Sequence, residues 1–225
     1  LLVLKNSIQM PLNQFFKKLN MKRKSLNATK KTLNFYLTKL KDPNLQKLYK
    51  VFSKNLESLD ISKKKIMVGV SGGVDSLSVL FFAKCYALKH KAKLYPVIID
   101  HKLREESTKE AKNLKYKLKK KFKISCKILS KKINKIDKNL QSYARDLRYD
   151  LFFKECNKYN IDYLLLGHHK DDFIENFFIR FLRGSGLKGL VSFDKNVSNY
   201  NGIKIIRPFL STSKKELINI NKKTF

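Results

Sequence analysis

The segment Ser71-Gly72-Gly73-Val74-Asp75-Ser76 combines residue types that hold a phosphate with one that would repel it. It lies between an apolar run over 66–70 and a helical pattern starting near residue 76. Main-chain N–H groups at a helix start attract anions, and glycines let a phosphate reach them. Gly72, Gly73 and Val74 offer such groups, and Ser71 and Ser76 add hydroxyl donors. A Walker loop carries a lysine after its last glycine; none follows here, which excludes a P-loop kinase or GTPase. Asp75 would push a polyphosphate away unless a cation stood between them, so it is expected to bind Mg²⁺. Taken alone, G-G-x-D also fits an ordinary strand-to-helix turn whose acid is favoured by the helix dipole. The strand before it, the helix after it and the two serines favour the phosphate site.

Other segments carry reactive side chains at telling positions. "IIDHKLREES" (98–107) closes a second apolar run with Asp100 and His101 and sets Arg104 just beyond. "ARDLRYDLF" (144–152) places Arg145, Arg148 and Tyr149 at i, i+3 and i+4, one face of a helix. Two guanidiniums side by side cost energy unless an anion, or an acid such as Asp146 or Asp150, answers them. "LLLGHHKDDFIEN" (164–176) puts Gly167 and His168 at a strand end, with Asp172 and Glu175 one helical turn apart beyond it. Adjacent histidines point in different directions and lack the i, i+4 spacing of zinc ligands on one helix, so a zinc hydrolase is disfavoured. "IRFLRGSGLKGL" (179–190) and "IRPFL" (206–210) add Arg180, Arg183 and Arg207.

The arginines matter because they are scarce. Of 50 basic residues only seven are arginine, and six of these lie downstream of the glycine turn, inside the segments just quoted. Where lysine is the default base, an arginine marks a position needing a planar, bidentate donor. The formal charge of +32 suits a polyanionic partner such as nucleic acid, although a lysine- and asparagine-rich composition also fills tolerant surface positions. Three scattered cysteines form no C-x-x-C pair, which argues against a disulfide framework or a cysteine-rich metal centre and for a reducing compartment. No run of 18 apolar residues occurs, so no membrane span is expected.

Short apolar runs at 66–70, 94–100, 124–129 and 163–167 alternate with helical patterns near 76–90, 107–121 and 141–158. That alternation predicts an α/β fold, a doubly wound parallel sheet with helices on both faces. A further strand is expected near 203–206, then a turn at Pro208 and the start of a helix in "STSKKELINI". Apolar spacing over 32–59 predicts a helix or two interrupted at Asp42-Pro43. The expected organisation is a basic extension over 1–59, a catalytic α/β domain carrying the glycine turn over 60–210 and the beginning of a helical region over 211–225. Residues 1–41 hold no acid and the chain starts at Leu1, so Met21 is read as the true start in preference to a transit peptide.

S-G-G-V-D-S resembles the PP-loop of the N-type ATP pyrophosphatases, which cleave ATP between its α- and β-phosphates. G-H-H-K-D-D-F-I-E and R-G-S-G-L-K-G-L resemble the corresponding motifs of the tRNA(Ile)-lysidine synthases, and "IRPFL" fits the same family. The likeness runs over about residues 60–225. It implies ATP and Mg²⁺ as reactants, and adenylation of the C2 oxygen of the wobble cytidine in an isoleucine tRNA with a CAU anticodon. Free L-lysine then displaces AMP to give lysidine. It further implies that Ser71, Gly72, Gly73, Val74, Asp75, Ser76, Asp100, His101, Gly167 and His168 hold the nucleotide. Asp75, Arg145, Arg148, Asp172 and Glu175 would do the chemistry, Asp172 and Glu175 holding lysine and taking its proton. Arg180, Arg183 and the 184–189 loop would meet the tRNA. The protein is expected in the cytoplasm, or in an organellar matrix or stroma if organelle-encoded, and a homodimer is compatible with the sequence.

Two departures stand out. The family commonly has Gln and Thr where this chain has Phe173 and Asn176. It also carries a further helical domain beyond this point, which reads as a truncated or split gene. The alternatives are a cytidine or uridine thiolase of the PP-loop class, or a non-catalytic RNA-binding remnant.

Overall fold

The computed structural model describes residues 30–102, 105–131, 140–172, 174–175, 178 and 196–225. Arg104, Phe173, Asn176, Arg180, Arg183, the 184–189 loop and everything before residue 30 lie outside them.

The chain enters through two helices, α1 (30–39) and α2 (Pro43–Glu57). Asp42 separates them as expected: its carboxylate accepts the N–H groups of Asn44 and Leu45, and Pro43 begins the helix where a missing N–H costs nothing. There follow β1 (Lys65–Val70), α3 (Val74–His90), β2 (Lys93–Asp100), α4 (Glu105–Phe122), β3 (Lys127–Ser130), α5 (Leu140–Tyr159) and β4 (Tyr163–Leu165). A hairpin of β5 (Val197–Tyr200) and β6 (Ile203–Ile206) and a last helix, α6 (Lys214–Thr224), complete the described chain.

The six strands lie in the order β3-β2-β1-β4-β6-β5, all parallel except β5. The order doubles back at β1: β2 and β3 build out on one side, and the chain then crosses over to lay β4 on the other. Such a reversal opens a crevice at the carboxyl ends of the two central strands. The strands there are buried on both faces, as parallel sheets require: in β1, Ile66, Met67 and Val68 are fully buried.

One core lies on the α3 face. α3 is apolar nearly all round because it is covered twice, by the sheet beneath and by α2 and α6 above. Phe52 of α2, Phe82 of α3 and Phe209 meet there at ring separations of 5.5–5.9 Å. Tyr36 of α1 donates its hydroxyl to Phe122 O at the end of α4 (2.7 Å). Leu56 and Ile61 both belong to this core. The opposite face carries a smaller core under α5, centred on Phe152, Cys156 and Leu164.

Three local differences from the sequence reading have physical causes. β3 begins at Lys127, not 124, because Ile124 turns back to close α4, donating its N–H to Leu118 O (3.1 Å). β4 ends at Leu165; Leu166 still donates to Ile206 O (3.0 Å), but Gly167 is pressed against the start of α3. β5 was not anticipated. Its turn, Asn201-Gly202, has both φ values positive (48° and 82°), the geometry that Asn-Gly favours in a two-residue hairpin.

Candidate active site

The crevice at the ends of β1 and β4 is a cleft of ≈ 450 Å³ lined by Ser71, Asp75, His101, Arg148, His168 and Asp172 among others. A second cleft of ≈ 430 Å³ adjoins it beyond β2 and shares Ser71 and His101. Most of the predicted site residues therefore converge.

The glycine turn is a braced loop. Gly72 has φ +87°, a left-handed conformation that a side chain would strain. Ser76 is buried and its hydroxyl works inside the loop, donating to Gly73 O (3.0 Å) and accepting the N–H of Ser71 (3.1 Å). It is a brace more than an open donor. Ser71 is exposed, with its Oγ 3.1 Å from Ser76 Oγ. Gly73 caps α3 without a side-chain bond, so no side chain covers the first N–H groups of the helix. Val74 can contribute only backbone there, since its half-buried side chain packs on the core. Gly167 closes the other wall: a Cβ at that position would stand 2.8 Å from the backbone of Asp75 and Ser76.

Asp75, on the first turn of α3, points its carboxylate into the cleft. Its Oδ1 is buried and accepts no hydrogen bond; the nearest donor is His169 Nε2 at 3.5 Å. Among the described residues no three His, Cys, Asp or Glu converge to hold a metal alone. Mg²⁺ needs no such cage, since it is commonly held by one or two carboxylates together with phosphate oxygens and water. A buried oxygen lacking a partner beside an anion seat fits that ion.

Asp100 behaves differently. It is 3% exposed, and its two oxygens accept hydrogen bonds from Lys102 N (2.9 Å), Ser107 Oγ (2.9 Å) and Thr108 Oγ1 (2.7 Å). Burial pushes its carboxyl up, but the bonds from Thr108, Lys102 and Ser107 outweigh that and hold it below the usual carboxylate range. Asp100 thus fastens the end of β2 to the start of α4.

The far wall is cationic. Arg145 and Arg148 lie over the Tyr149 ring, 5.8 and 6.0 Å from its centroid, and Asp150 pairs with Lys154 (2.9 Å). Burial and then the Arg145 charge depress the Arg148 guanidinium, with Tyr149 opposing. Burial likewise lowers His168 to about 4, helped by Arg207, Arg145 and Arg148 and opposed by Asp172. His101 is lowered by burial and by Arg148, against Asp100. Both imidazoles are thus neutral near pH 7, His168 beside three arginines and His101 beside Arg148. Arg207 was not singled out for this site by its motif. It is buried and donates to Ser198 Oγ (3.0 Å), so only the fold brings it under His168.

Asp172 reaches the cleft, and its Oδ2 accepts the His169 N–H (3.0 Å). Glu175, one turn on, is exposed and does not line the cleft. The three cysteines, Cys85, Cys126 and Cys156, are all buried in the core, and burial pushes each thiol up.

A parallel sheet, an uncapped glycine turn, a buried carboxylate oxygen without a hydrogen bond and arginines beside the cleft fit a nucleotide-binding α/β domain. A family model described as a PP-loop domain matches residues 40–224, and the chain belongs to that family. It is 39% identical over 176 residues to a tRNA(Ile)-lysidine synthase of Rickettsia rickettsii (strain Sheila Smith), covering 76% of this chain and 36% of the relative. To the tRNA(Ile)-lysidine synthase of Orientia tsutsugamushi (strain Boryong) it is 40% identical over 153 residues, 68% of this chain and 34% of the relative. The chain thus spans about a third of the length of these relatives. Among solved structures, the U34-tRNA thiolase NcsA from Methanococcus maripaludis shares the fold, with TM-score 0.68 and 20% identity over 80% of this chain and 63% of that one.

Proposed function

We propose that this chain is the catalytic portion of a tRNA(Ile)-lysidine synthase. It would use ATP to join free L-lysine to C2 of the wobble cytidine in a CAU-anticodon isoleucine tRNA. The observation that carries the reading is its 39% identity, across 76% of the chain, to proteins of that name. The site chemistry supports it. The N–H groups at the start of α3 and the Ser71 hydroxyl hold the pyrophosphate end of ATP. Asp75 would hold Mg²⁺, which would supply positive charge against the phosphates. Arg145 and Arg148 face the negative charge that develops as the cytidine C2 oxygen attacks the α-phosphorus and pyrophosphate departs.

In the second half-reaction the lysine ε-ammonium gives up a proton, its nitrogen bonds to C2 and AMP leaves with the C2 oxygen. Asp172, at the cleft, and Glu175, on the same helical segment, supply the negative charge that attracts the ammonium, and Asp172 accepts the proton. Neutral His101 and His168 add no charge that would repel lysine. The excess of lysines over the rest of the surface meets the tRNA backbone. No helix among the described residues is long and apolar enough to cross a membrane, in keeping with an enzyme of the cytoplasm or of an organelle interior. A thiolase reading draws no support from the cysteines, which are buried in the core away from the cleft.

The test is incubation of the full chain with ATP, radiolabelled lysine and a transcript of that tRNA. Label should enter the tRNA with release of AMP and pyrophosphate. Incorporation of sulfur from a persulfide donor, with no lysine label, would move the protein to the thiolases.

A further inference from the structure

Resting on that reading, we propose that His169 is a positioning residue that holds the Asp75 carboxylate toward the metal and ties it to Asp172. His169 is 3% exposed and does not line the cleft, so it touches neither ATP nor lysine. His168, its neighbour, faces the cleft; His169 lies behind it.

The imidazole is fixed from several sides. Its Nδ1 accepts the N–H of Asp172 (3.3 Å), which leaves the ring hydrogen on Nε2, and Nε2 faces Asp75 Oδ1 at 3.5 Å. The backbone N–H of His169 in turn donates to Asp172 Oδ2 (3.0 Å), so the two residues bond reciprocally across one turn. The segment is anchored beyond: His169 bridges Phe209 in parallel, and Lys170 donates its N–H to Thr212 O (3.0 Å). Asp171 lies 4.0 Å from Nδ1, but its Oδ2 accepts the N–H of Lys214 at the start of α6 (2.8 Å).

A histidine that only filled the core would turn its free N–H to a carbonyl. This one turns it to the single buried carboxylate oxygen of the cleft that accepts no hydrogen bond. A neutral donor suits the position. It can hold Asp75 in one rotamer while leaving the whole negative charge for a cation, whereas a lysine or arginine there would compete with that cation. One imidazole therefore stands between the acid assigned to the pyrophosphate side and the acid assigned to the lysine side, within 3.5 and 3.6 Å of their carboxylates.

The experiment uses Mn²⁺ as the probe, its binding followed by electron paramagnetic resonance in the full chain saturated with α,β-methylene ATP. His169→Leu removes both ring nitrogens; His169→Gln keeps an amide N–H where Nε2 stands. The Leu variant should bind Mn²⁺ about tenfold or more weakly, the usual loss when a residue orienting a metal ligand is removed. The Gln variant should recover most of that affinity, and neither should change nucleotide binding without metal. Mn²⁺ affinity unchanged in the Leu variant would overturn the proposal. So would equal losses in both variants that track a fall in melting temperature, since that is the mark of a structural role alone. Normal Mn²⁺ behaviour in a wild-type chain that never labels tRNA with lysine would fault the proposed reaction and leave the role of His169 standing.

Discussion

Asp75 and Asp100 sit close together along one edge of the sheet, one just past the end of β1 and the other at the end of β2, and they have opposite fates. Asp100 is enclosed by a backbone N–H and two hydroxyls of its own chain. Asp75 has a buried oxygen that the chain leaves without a hydrogen bond. A buried carboxylate that its fold satisfies is a fastener; one left wanting is stabilised only when something arrives. The sequence shows two acids at two strand ends and cannot tell them apart, because the difference lies in what Ser107 and Thr108 reach once α4 has formed.

The largest test of this contrast is Asp75→Asn. Pyrophosphate release from ATP should fall by at least about 10³-fold, as the loss of several kcal/mol of charge stabilisation implies. The melting temperature should hold or rise, because no internal bond is lost at Oδ1. Asp100→Asn should show the reverse pattern. Its amide would face Thr108 or Ser107 with a misplaced donor, costing about 1–3 kcal/mol in urea unfolding, with a smaller effect on turnover. Because the folded Asp100 carboxyl is held low, the advantage of wild type over this variant should be full above about pH 4. It should then disappear as the pH falls through the folded value.

The smallest effect concerns His168. Its folded pKa is lowered to about 4, so its contribution to stability is complete above about pH 6.5 and is lost as the pH drops toward 4. Between pH 7.5 and 5 the urea midpoint of wild type should fall further than that of His168→Gln, by about 0.7–1 M. Equal shifts would mean that neither burial nor the arginines depress the imidazole.

Much of the fold was legible because periodicity reports it directly: alternating strand and helix patterns fixed a parallel sheet, and Asp42-Pro43 marked the break between α1 and α2. The glycine turn after β1 was legible because its residue types are unusual together. What escaped depended on distant partners. Arg207 joins the cationic wall from just past β6, 39 residues beyond His168 in the chain, and the surroundings of His169 appear only where the chain past β4 meets α3. Glu175 looked equivalent to Asp172 by spacing, yet only Asp172 turns into the cleft. The Asn201-Gly202 hairpin was readable in principle, but the polar β5 lacks the apolar alternation that would have announced it.

Gly167 has a mechanical consequence. With no room for even a methyl group between it and the backbone of Asp75 and Ser76, the glycine turn and the arm that carries Asp172 are packed as one piece. Such a piece cannot act as a jaw. In the proposed reaction, closing over the reactants would fall to the opposite side, where α5 brings Arg145 and Arg148 on a smaller core. The fixed side would serve as anvil for both proposed half-reactions, so that adenylation and lysine attack would follow each other without the two acids being re-aimed between them.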